Sequence, residues 1–344
     1  MSMSTPNSKA WTPWHLRLHK KLLLNKTLLP SGASLLLAVS GGQDSMVLLK
    51  LMLDLQRLYK WKLNIWHGDH SWHNQSGKVA KELKAWCEGK KLKFLSDIAT
   101  KEQTRTEVNA RDWRYKKLAE TASIISSKDI DHPCQRVITG HTATDRAETL
   151  LLNLARGTNL AGISSLCELR PLNKNIQLVR PLMGFNRDET AQICKEMQIP
   201  IWIDPSNTNT NLSRNKVRQE IIPVLEDLHP GCSMRMAALG ERLSHYKKDQ
   251  HAISNLLIKA LDHPKGLCRK TISKLPLTAR STVLFEWLKD KGAPSLSAKQ
   301  LEELSHKISN QQPPGCHHLA EKWIIKWKKD FIKLEHPIQN KSQK

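Results

Sequence analysis

The chain reads Ser-Leu-Leu-Leu-Ala-Val-Ser-Gly-Gly-Gln-Asp-Ser from Ser34 to Ser45. A short, continuous apolar run of this kind is typical of a buried strand in a parallel sheet. The residues from Met46 to Tyr59 then carry apolar side chains at helical spacing. The glycine-rich turn is therefore predicted to join the end of a strand to the start of a helix.

This turn has the residues of an anion-binding site. Gly41 and Gly42 permit positive φ and let backbone N–H groups approach a phosphate closely. The helix start adds a partial positive charge and unpaired N–H donors, and Ser40 and Ser45 add hydroxyl donors. We therefore expect the turn, including Gln43, to bind a pyrophosphate group.

Asp44 is unexpected in such a turn because a carboxylate repels phosphate. Its presence is explained if a magnesium ion bridges the carboxylate to phosphate oxygens, which hard cations prefer. The alternative is an ordinary Gly-Gly turn in which Asp44 caps the helix. The turn lacks the lysine of the Gly-x-x-x-x-Gly-Lys phosphate loop, so it is not of that type.

Strands and helices alternate on both sides of the turn. This alternation predicts an α/β fold with a doubly wound, Rossmann-like parallel sheet, in which ligands bind outside the carboxyl ends of the strands. The further predicted strands are 63–66, 93–95 and 136–139, and the further predicted helices are 78–89, 107–122 and 143–156.

A domain boundary is expected near Pro223. Residues 1–222 are predicted to form the nucleotide-binding catalytic domain. Residues 223–344 are predicted to form a smaller, mainly helical C-terminal region, with strands between Trp323 and Leu334.

The net charge indicates a polyanionic partner. The chain has 54 Lys and Arg against 32 Asp and Glu, which gives +22, and the excess is spread over both predicted parts. Such a charge favours nucleic acid or an anionic membrane surface, and tRNA offers phosphates over a large area. No run of 18 apolar residues is present, so we expect no membrane association.

The seven cysteines are scattered and form no Cys-x-x-Cys pair, so no disulfide framework or paired-cysteine metal site is indicated. The local cluster Cys316-His317-His318 lacks a second group at ligand spacing. This cysteine usage favours a reducing, cytoplasmic compartment.

Two arginines lie three residues apart in Glu107-Val-Asn-Ala-Arg111-Asp-Trp-Arg114-Tyr115, so they share a helix face. Paired guanidiniums suit a phosphate or a developing anion. Surface salt bridges are the alternative.

A second cluster follows the strand at 136–139. His141, Asp145 and Glu148 are four and three residues apart, which places them on one helical stripe that opens toward the ligand side. Two neighbouring carboxylates could hold the amines of a lysine substrate or a metal ion. Ordinary capping of a helix N-terminus is the alternative.

Two more clusters lie further along the chain. The first is Arg180-Pro181-Leu182, and the second runs from Asp204-Pro-Ser-Asn207 to Arg214-Asn215-Lys-Val-Arg218. Arg214 and Arg218 again share a face, and the composition suits a loop and helix that lie on phosphates.

Together, five motifs resemble the tRNA(Ile)-lysidine synthetases of the PP-loop ATP pyrophosphatase superfamily, in the same order and spacing. They are Ser-Gly-Gly-x-Asp-Ser, Glu-x-x-Ala-Arg-x-x-Arg-Tyr, His-x-x-x-Asp-x-x-Glu-Thr, Arg-Pro-Leu and Arg-Asn-x-x-Arg, over residues 34–223. The resemblance implies that ATP adenylates the 2-carbonyl oxygen of the wobble cytidine in tRNA(Ile) with a CAU anticodon. Free L-lysine then displaces AMP, with its ε-amine expected as the nucleophile.

The resemblance also implies roles for single residues. Ser40 to Ser45 would bind pyrophosphate, with Asp44 on Mg²⁺, and Arg114 and His141 would contact ATP and the activated base. Asp145 and Glu148 would orient lysine, whereas Arg111, Arg214, Asn215 and Arg218 would face the nucleotide or tRNA. The segment His67-Gly-Asp-His70-Ser-Trp-His73 resembles a further segment of the same family, His-x-Asn/Asp-His. His73 stands where many members of the family have arginine.

Three other functions are compatible with parts of the sequence. A tRNA thiolase of the same superfamily would need paired cysteines when it uses a cluster or persulfide. A small-molecule PP-loop ligase explains the ATP site but not the charge of +22. A basic RNA-binding protein without catalysis would be expected to lose Asp44, Asp145 or Glu148, which are all present. The oligomeric state is left open.

Overall fold

The computed structural model describes residues 11–72, 76–157, 162, 166–202, 213–309 and 311–336. The chain divides into two compact units, Met1–Ser244 and His245–Lys344. The division falls within one long helix, Cys232–Leu261.

The first unit contains a six-stranded sheet and the helices that cover it. The strands are β1 (Ser34–Ala38), β2 (Lys62–Asp69), β3 (Lys93–Ile98), β4 (Arg136–Thr139), β5 (Leu169–Pro171) and β6 (Gln177–Val179). The helices are α1 (Pro13–Leu24), α2 (Gln43–Tyr59), α3 (Ser76–Gly89), α4 (Glu107–Lys128), α5 (Ala143–Ala155), α6 (Arg187–Glu196), α7 (Ser213–Lys216), α8 (Ile222–Leu228) and α9 (Cys232–Leu261), of which α9 continues into the second unit. A 3₁₀ turn spans Pro181–Gly184, and a π turn spans Val217–Ile221.

The strand order is β3-β2-β1-β4-β6-β5. All neighbouring strands are parallel except β5, which is antiparallel to β6. The chain leaves β1 toward β2 on one side and later returns to place β4 on the other side. This change of direction creates a crevice at the carboxyl ends of β1 and β4, where ligands bind in such sheets. The predicted doubly wound fold is confirmed.

The side chains of β1 alternate between two cores, as the pleat requires. Leu35 and Leu37 pack into a cluster with residues of α2, whereas Leu36 packs with Trp66 and Trp113 on the α4 side. All three leucines are fully buried. Burial of both faces explains why the strand reads as a continuous apolar run.

The second unit contains a five-stranded antiparallel sheet and three helices. The strands are β7 (Asp262–His263), β8 (Gly266–Cys268), β9 (Gly315–His318), β10 (Ile324–Trp327) and β11 (Phe331–Glu335), in the order β7-β8-β11-β10-β9. The helices are α10 (Arg269–Ser273), α11 (Leu277–Asp290) and α12 (Ala298–Lys307), and a 3₁₀ turn spans Ala320–Lys322. Its core joins Leu284 and Trp287 of α11 to Ile325 and Ile332 of the sheet.

Helices and a small sheet therefore share the C-terminal part. The strands expected between Trp323 and Leu334 are β10 and β11. Cys316, His317 and His318 lie on β9, and within the described ranges no three His, Cys, Asp or Glu side chains form a metal-binding group. No described helix is both long enough and apolar enough to span a bilayer.

Candidate active site

The glycine turn connects β1 to α2 and is shaped by its own hydroxyl groups. Gly41 has φ +88°, a conformation that favours glycine, and Gly42 is the N-cap of α2. The Ser45 hydroxyl donates to the Gly42 carbonyl at 2.8 Å and accepts from the Ser40 amide at 3.2 Å. The amides of the first turn of α2 therefore begin at the mouth of the crevice, where an anion can accept from them.

Asp44 lies in this first turn and is held by α6. Its Oδ1 accepts from the Thr190 hydroxyl at 2.5 Å, and its Oδ2 accepts from Arg187 Nη1 at 3.3 Å. Burial and the nearby Asp145 carboxylate raise the pKa of Asp44, against the opposing effects of Arg187, Thr190 and Arg218. The carboxylate therefore remains short of positive charge despite its arginine partner.

Gln43 also bonds to α6. Its Nε2 donates to the Thr190 hydroxyl and to the Arg187 carbonyl, each at 2.7 Å. The side chain thus anchors the turn to α6, and its backbone amide is what remains for a ligand at the mouth of the crevice.

Asp145 and Glu148 of α5 bind two arginines that are distant in sequence. Glu148 accepts from Arg214 Nε at 2.7 Å and from Arg218 Nε at 2.5 Å. Asp145 Oδ1 accepts from Arg214 Nη2 at 2.9 Å and from Arg218 Nη2 at 3.3 Å. The Glu148 side chain is fully buried, and each arginine side chain is about one fifth exposed. We call these four residues the carboxylate–guanidinium cluster.

Two features of the chain explain this cluster. Asp145 is fixed by the capping box of α5, because its Oδ2 accepts from the Thr142 amide at 2.7 Å. Arg214 lies in α7 and Arg218 in the π turn that follows, so both reach α5. Burial would raise the pKa of Asp145, but Arg214, His141 and Arg218 outweigh it and hold the pKa well below its ordinary value.

His141 follows β4 and lies near both the carboxylate–guanidinium cluster and a second group of arginines. Its Nδ1 is 2.8 Å from the Thr139 hydroxyl. Burial and the charges of Arg180, Arg114 and Arg214 lower its pKa well below 6.5, although Asp145 opposes them. The imidazole is therefore neutral at physiological pH, and it can donate or accept a hydrogen bond without carrying charge.

The second group of arginines surrounds Tyr115 of α4. The guanidiniums of Arg111 and Arg114 lie 5.6 and 5.3 Å from the centre of the Tyr115 ring, and that of Arg170 lies 4.7 Å from it. Arg180 Nη2 donates to the phenol oxygen at 3.5 Å. We call Arg111, Arg114, Arg170 and Arg180 the arginine pocket.

The structure thus brings together most of the side chains that the sequence motifs indicated. The charge of Asp145 raises the pKa of Asp44, and the charge of Arg218 lowers the pKa of both carboxyl groups. The charges of Arg114 and Arg214 both lower the pKa of His141. Asn215 is buried beside Arg214 in the chain.

Other indicated residues lie beside this group or outside the described ranges. His67 is buried and its Nδ1 is 2.9 Å from the Val39 carbonyl, while His70 stacks on Trp72 at 4.9 Å. His73 and the segment Asp204–Asn207 lie outside the described residues.

Sequence reasoning missed Arg187 and Thr190, and it assigned no role to Tyr115 or Gly140. A signal for the first two was available, because Asn186 and Glu189 form a capping box that marks a helix start just after β6. A Cβ at Gly140 would lie 2.9 Å from the Asp44 carbonyl oxygen, so glycine lets the turn after β4 touch the turn after β1.

Known proteins resemble this chain over nearly its whole length. A PP-loop domain model matches residues 16–225, and a TilS substrate binding domain model matches residues 267–330. A tRNA(Ile)-lysidine synthase from Prochlorococcus marinus is 53% identical over 97% of this chain and 99% of the relative. One from Parasynechococcus marenigrum is 45% identical over 98% of this chain and 99% of the relative.

A solved structure with the same fold is a U34-tRNA thiolase from Methanococcus maripaludis with an iron–sulfur cluster. It has a TM-score of 0.53 and 19% sequence identity, and the match covers 67% of this chain and 77% of the thiolase. At this identity the likeness concerns the fold alone. All seven cysteines of the present chain lie in the described ranges, and none of them forms a disulfide.

Proposed function

This chain belongs to the tRNA(Ile)-lysidine synthase family, and from that membership we propose how its residues carry out lysidine formation. The enzyme is an ATP-dependent ligase that modifies tRNA. The base is adenylated at its 2-carbonyl oxygen, so that an O–P bond forms and pyrophosphate leaves. An amine of lysine then attacks C2, the C2–O bond breaks, and AMP leaves with that oxygen. The thiolase function considered above is disfavoured by these relatives.

We propose that Ser40 to Ser45 hold the ATP polyphosphate at the mouth of the crevice. The proposal is supported by the positive φ of Gly41, by the start of α2 at Gln43 and by the exposed Ser40 side chain. Backbone amides at a helix N-terminus bind anions without further charge. A polyphosphate here would extend toward His141 and the base.

A magnesium ion fits beside Asp44. Burial and Asp145 both disfavour the charged form of this carboxylate, and a divalent cation would stabilise it. Mg²⁺ commonly takes only one or two protein carboxylates together with phosphate oxygens. We propose that Asp44 holds Mg²⁺ against the polyphosphate, where the ion would neutralise part of the phosphate charge.

Asp44→Ala tests this role. We expect AMP formation to be abolished while tRNA binding, measured by filter binding, stays within about twofold of the native value. Since magnesium would lose its protein ligand, ATP binding should also lose its dependence on Mg²⁺ concentration. Retained turnover in this variant would remove the magnesium role from Asp44.

Asp145 and Glu148 are proposed to orient free L-lysine. Both carboxylates form ion pairs with Arg214 and Arg218 in a buried cluster. The amines of lysine would compete with these two guanidiniums for the same oxygens. When lysine binds, the displaced guanidiniums would face the nucleotide or the tRNA, together with Asn215. This exchange would couple lysine binding to contacts with the other substrates.

His141 and Arg114 are proposed to contact ATP and the activated base. A neutral imidazole can donate a hydrogen bond to the base without repelling the nearby guanidiniums. Arg114 supplies positive charge near His141, which would stabilise the negative charge on the α-phosphate oxygens and on the leaving pyrophosphate as the base oxygen attacks.

The tRNA identity and the location of the enzyme are part of the same proposal. We infer that the substrate is tRNA(Ile) with a CAU anticodon, that residues 223–344 contribute tRNA contacts, and that the enzyme is cytoplasmic. The charge of +22 and the lack of disulfides among the described cysteines support these inferences.

The observation that supports the function best is the position of Asp44 beside Asp145 across the β1–β4 crevice. Incorporation of radiolabelled lysine into tRNA tests it. Label should appear in the tRNA only when ATP is present, and digestion should release it as a modified cytidine. Incorporation of arginine instead, or no label at all, would redirect the assignment.

A further inference from the structure

The arginine pocket collects four guanidiniums from three separate parts of the first unit. Arg111 and Arg114 come from α4, Arg170 comes from β5, and Arg180 follows β6. They converge on a single buried ring, that of Tyr115. Like charges repel, so such an assembly is expected only where an anion offsets them.

No carboxylate of the described residues supplies that anion. Within the described ranges of the chain, none of the four arginines forms an ion pair with Asp or Glu. The Nε atoms of Arg114 and Arg180 are buried and have no hydrogen-bond acceptor among the described residues. Buried donors without acceptors are unfavourable, and they indicate a ligand that brings several oxygens.

Tyr115 partly balances the pocket. Burial alone would raise the pKa of its phenol, but the charges of Arg114, Arg180 and Arg111 outweigh burial and lower the pKa to about 7. A phenolate would neutralise one of four positive charges and leave the rest. Guanidiniums bind phosphate through paired N–H donors, so a phosphate group is the ligand that this pocket fits.

The arginine pocket is separate from the glycine turn, which is proposed to hold the polyphosphate. The cations that act on Asp44 are Arg187 and Arg218, and neither belongs to the pocket. Arg170 and Arg180 lie at β5 and β6, on the far side of β4 from β1. His141 is near the arginine pocket, since the charges of Arg114 and Arg180 lower its pKa, and it is near the carboxylate–guanidinium cluster, since Asp145 and Arg214 also shift that pKa.

A base that reaches His141 therefore has its own backbone near the arginine pocket. We propose that Arg111, Arg114, Arg170 and Arg180, assembled around Tyr115, bind a phosphodiester group of the tRNA that flanks the nucleotide being adenylated. This inference rests on the proposed function and adds Arg170, Arg180 and Tyr115 to the residues that hold the substrate. Arg180 is a positioning residue as well, because its full burial fixes the pocket against the end of β6.

The variant Arg170→Ala tests the site with little risk to folding, since Arg170 is only half-buried. Arg57→Ala is the matched control, because Arg57 is an exposed residue in the last turn of α2, at the opposite end of that helix from the glycine turn. We expect Arg170→Ala to weaken tRNA binding about tenfold and to lower the slope of log affinity against log salt by about 0.7 to 1. The control should change neither quantity, and both variants should bind ATP as the native enzyme does.

Two results would overturn the proposal. If Arg170→Ala weakens binding of ATP and leaves tRNA binding intact, the pocket serves the nucleotide polyphosphate. If Arg170→Ala and Arg57→Ala behave alike, no anion site exists there. The proposed function is checked separately, since native enzyme that incorporates no lysine would refute that function whatever the variants show.

Tyr115→Phe provides a second, independent measurement. The charged groups that face the phenol are Arg111 and Arg114 of α4, Arg170 of β5 and Arg180 after β6. A phenolate competes with phosphate for these guanidiniums, so native tRNA affinity should fall as pH rises through about 7. The variant should lose this component of the pH dependence and bind tRNA at pH 9 more tightly than the native enzyme. An identical pH profile for both proteins would contradict the role of Tyr115 in the pocket.

Discussion

Glu148 shows how a single buried charge organises the site. Its side chain is fully buried and accepts from two arginines, which are themselves shared with Asp145. A buried ion is tolerated only when its partners are complete, because the cost of desolvation otherwise exceeds the attraction. The carboxylate–guanidinium cluster is therefore a structural joint, at the same place where lysine is proposed to bind.

Removal of Glu148 should destabilise the enzyme strongly. Glu148→Ala leaves two guanidiniums without their best partner, and we expect a loss of about 3 kcal/mol in the free energy of unfolding, measured by urea denaturation. Glu241→Ala is the control, because Glu241 is 44% exposed and pairs with Arg146 alone. That change should cost about 0.5 kcal/mol or less. Equal losses in the two variants would mean that the cluster contributes no special stability.

His141 should make stability depend on pH. Its folded pKa lies well below 6.5, so the unfolded chain takes up a proton at higher pH than the folded chain does. The folded state therefore loses stability relative to the unfolded state as pH falls below 6.5, by at most about 1.4 kcal/mol per pH unit from this residue.

The comparison with His141→Gln isolates this effect. The native enzyme should lose more stability than the variant between pH 7.5 and pH 5, measured by denaturation at each pH. A difference between the two proteins that does not change with pH would show that His141 has an ordinary pKa.

At these positions the sequence indicated residue types but not partners. Helical spacing placed Asp145 with Glu148 and Arg214 with Arg218, since each pair lies on one turn of chain. That the two pairs bind each other depends on a fold that joins residues about 70 positions apart, such as Arg218 and Glu148. Spacing alone carries no information on such contacts.

The turns after β1 and β4 work as one element of structure. Gly140 lies so close to the backbone of Asp44 and Ser45 that a Cβ would be 2.9 to 3.0 Å from their main-chain atoms. Contact between the two turns holds the first turn of α2 beside the start of α5. The glycine turn is therefore positioned by the turn after β4 as well as by β1.

Gly140→Ala should displace the glycine turn. The added methyl group meets backbone atoms, which cannot move aside as a flexible side chain would, so we expect ATP affinity to fall about tenfold or more, measured by equilibrium binding. Gly77→Ala is the control, because Gly77 lies in α3 and a Cβ there has no neighbour within 4 Å. Native ATP affinity in Gly140→Ala would show that the two turns are independent.

The major elements were predictable because burial on both faces leaves a clear pattern. β1 is an apolar run, β4 carries the buried pair Val137 and Ile138, and α2 and α5 have helical periodicity with glycine or threonine at their starts. β5, β6 and β8 have three residues each, which is too short for a period to be recognised. The second unit was therefore predicted as mainly helical, with strands only near its end.

At the scale of the whole molecule, the net charge and the fold both suit polyanionic substrates. A net charge of +22 favours a ligand with many phosphates, and the charges of both the arginine pocket and the carboxylate–guanidinium cluster shift the pKa of His141 in the first unit. The glycine turn is proposed to hold the polyphosphate of ATP, and the arginine pocket is proposed to hold a phosphodiester group of the tRNA. This arrangement accounts for a reaction in which one anion, ATP, must meet a base carried by another, tRNA.

The fate of the cytidine oxygen tests the central claim most directly. The enzyme is supplied with ATP, lysine and tRNA that carries ¹⁸O at the 2-carbonyl of the wobble cytidine, and the released AMP is analysed by mass spectrometry. If that oxygen attacks the α-phosphorus beside the turn of Ser40 to Ser45, each AMP formed gains the heavy oxygen while lysine enters the tRNA. Lysine incorporation accompanied by unlabelled AMP would contradict adenylation of the base.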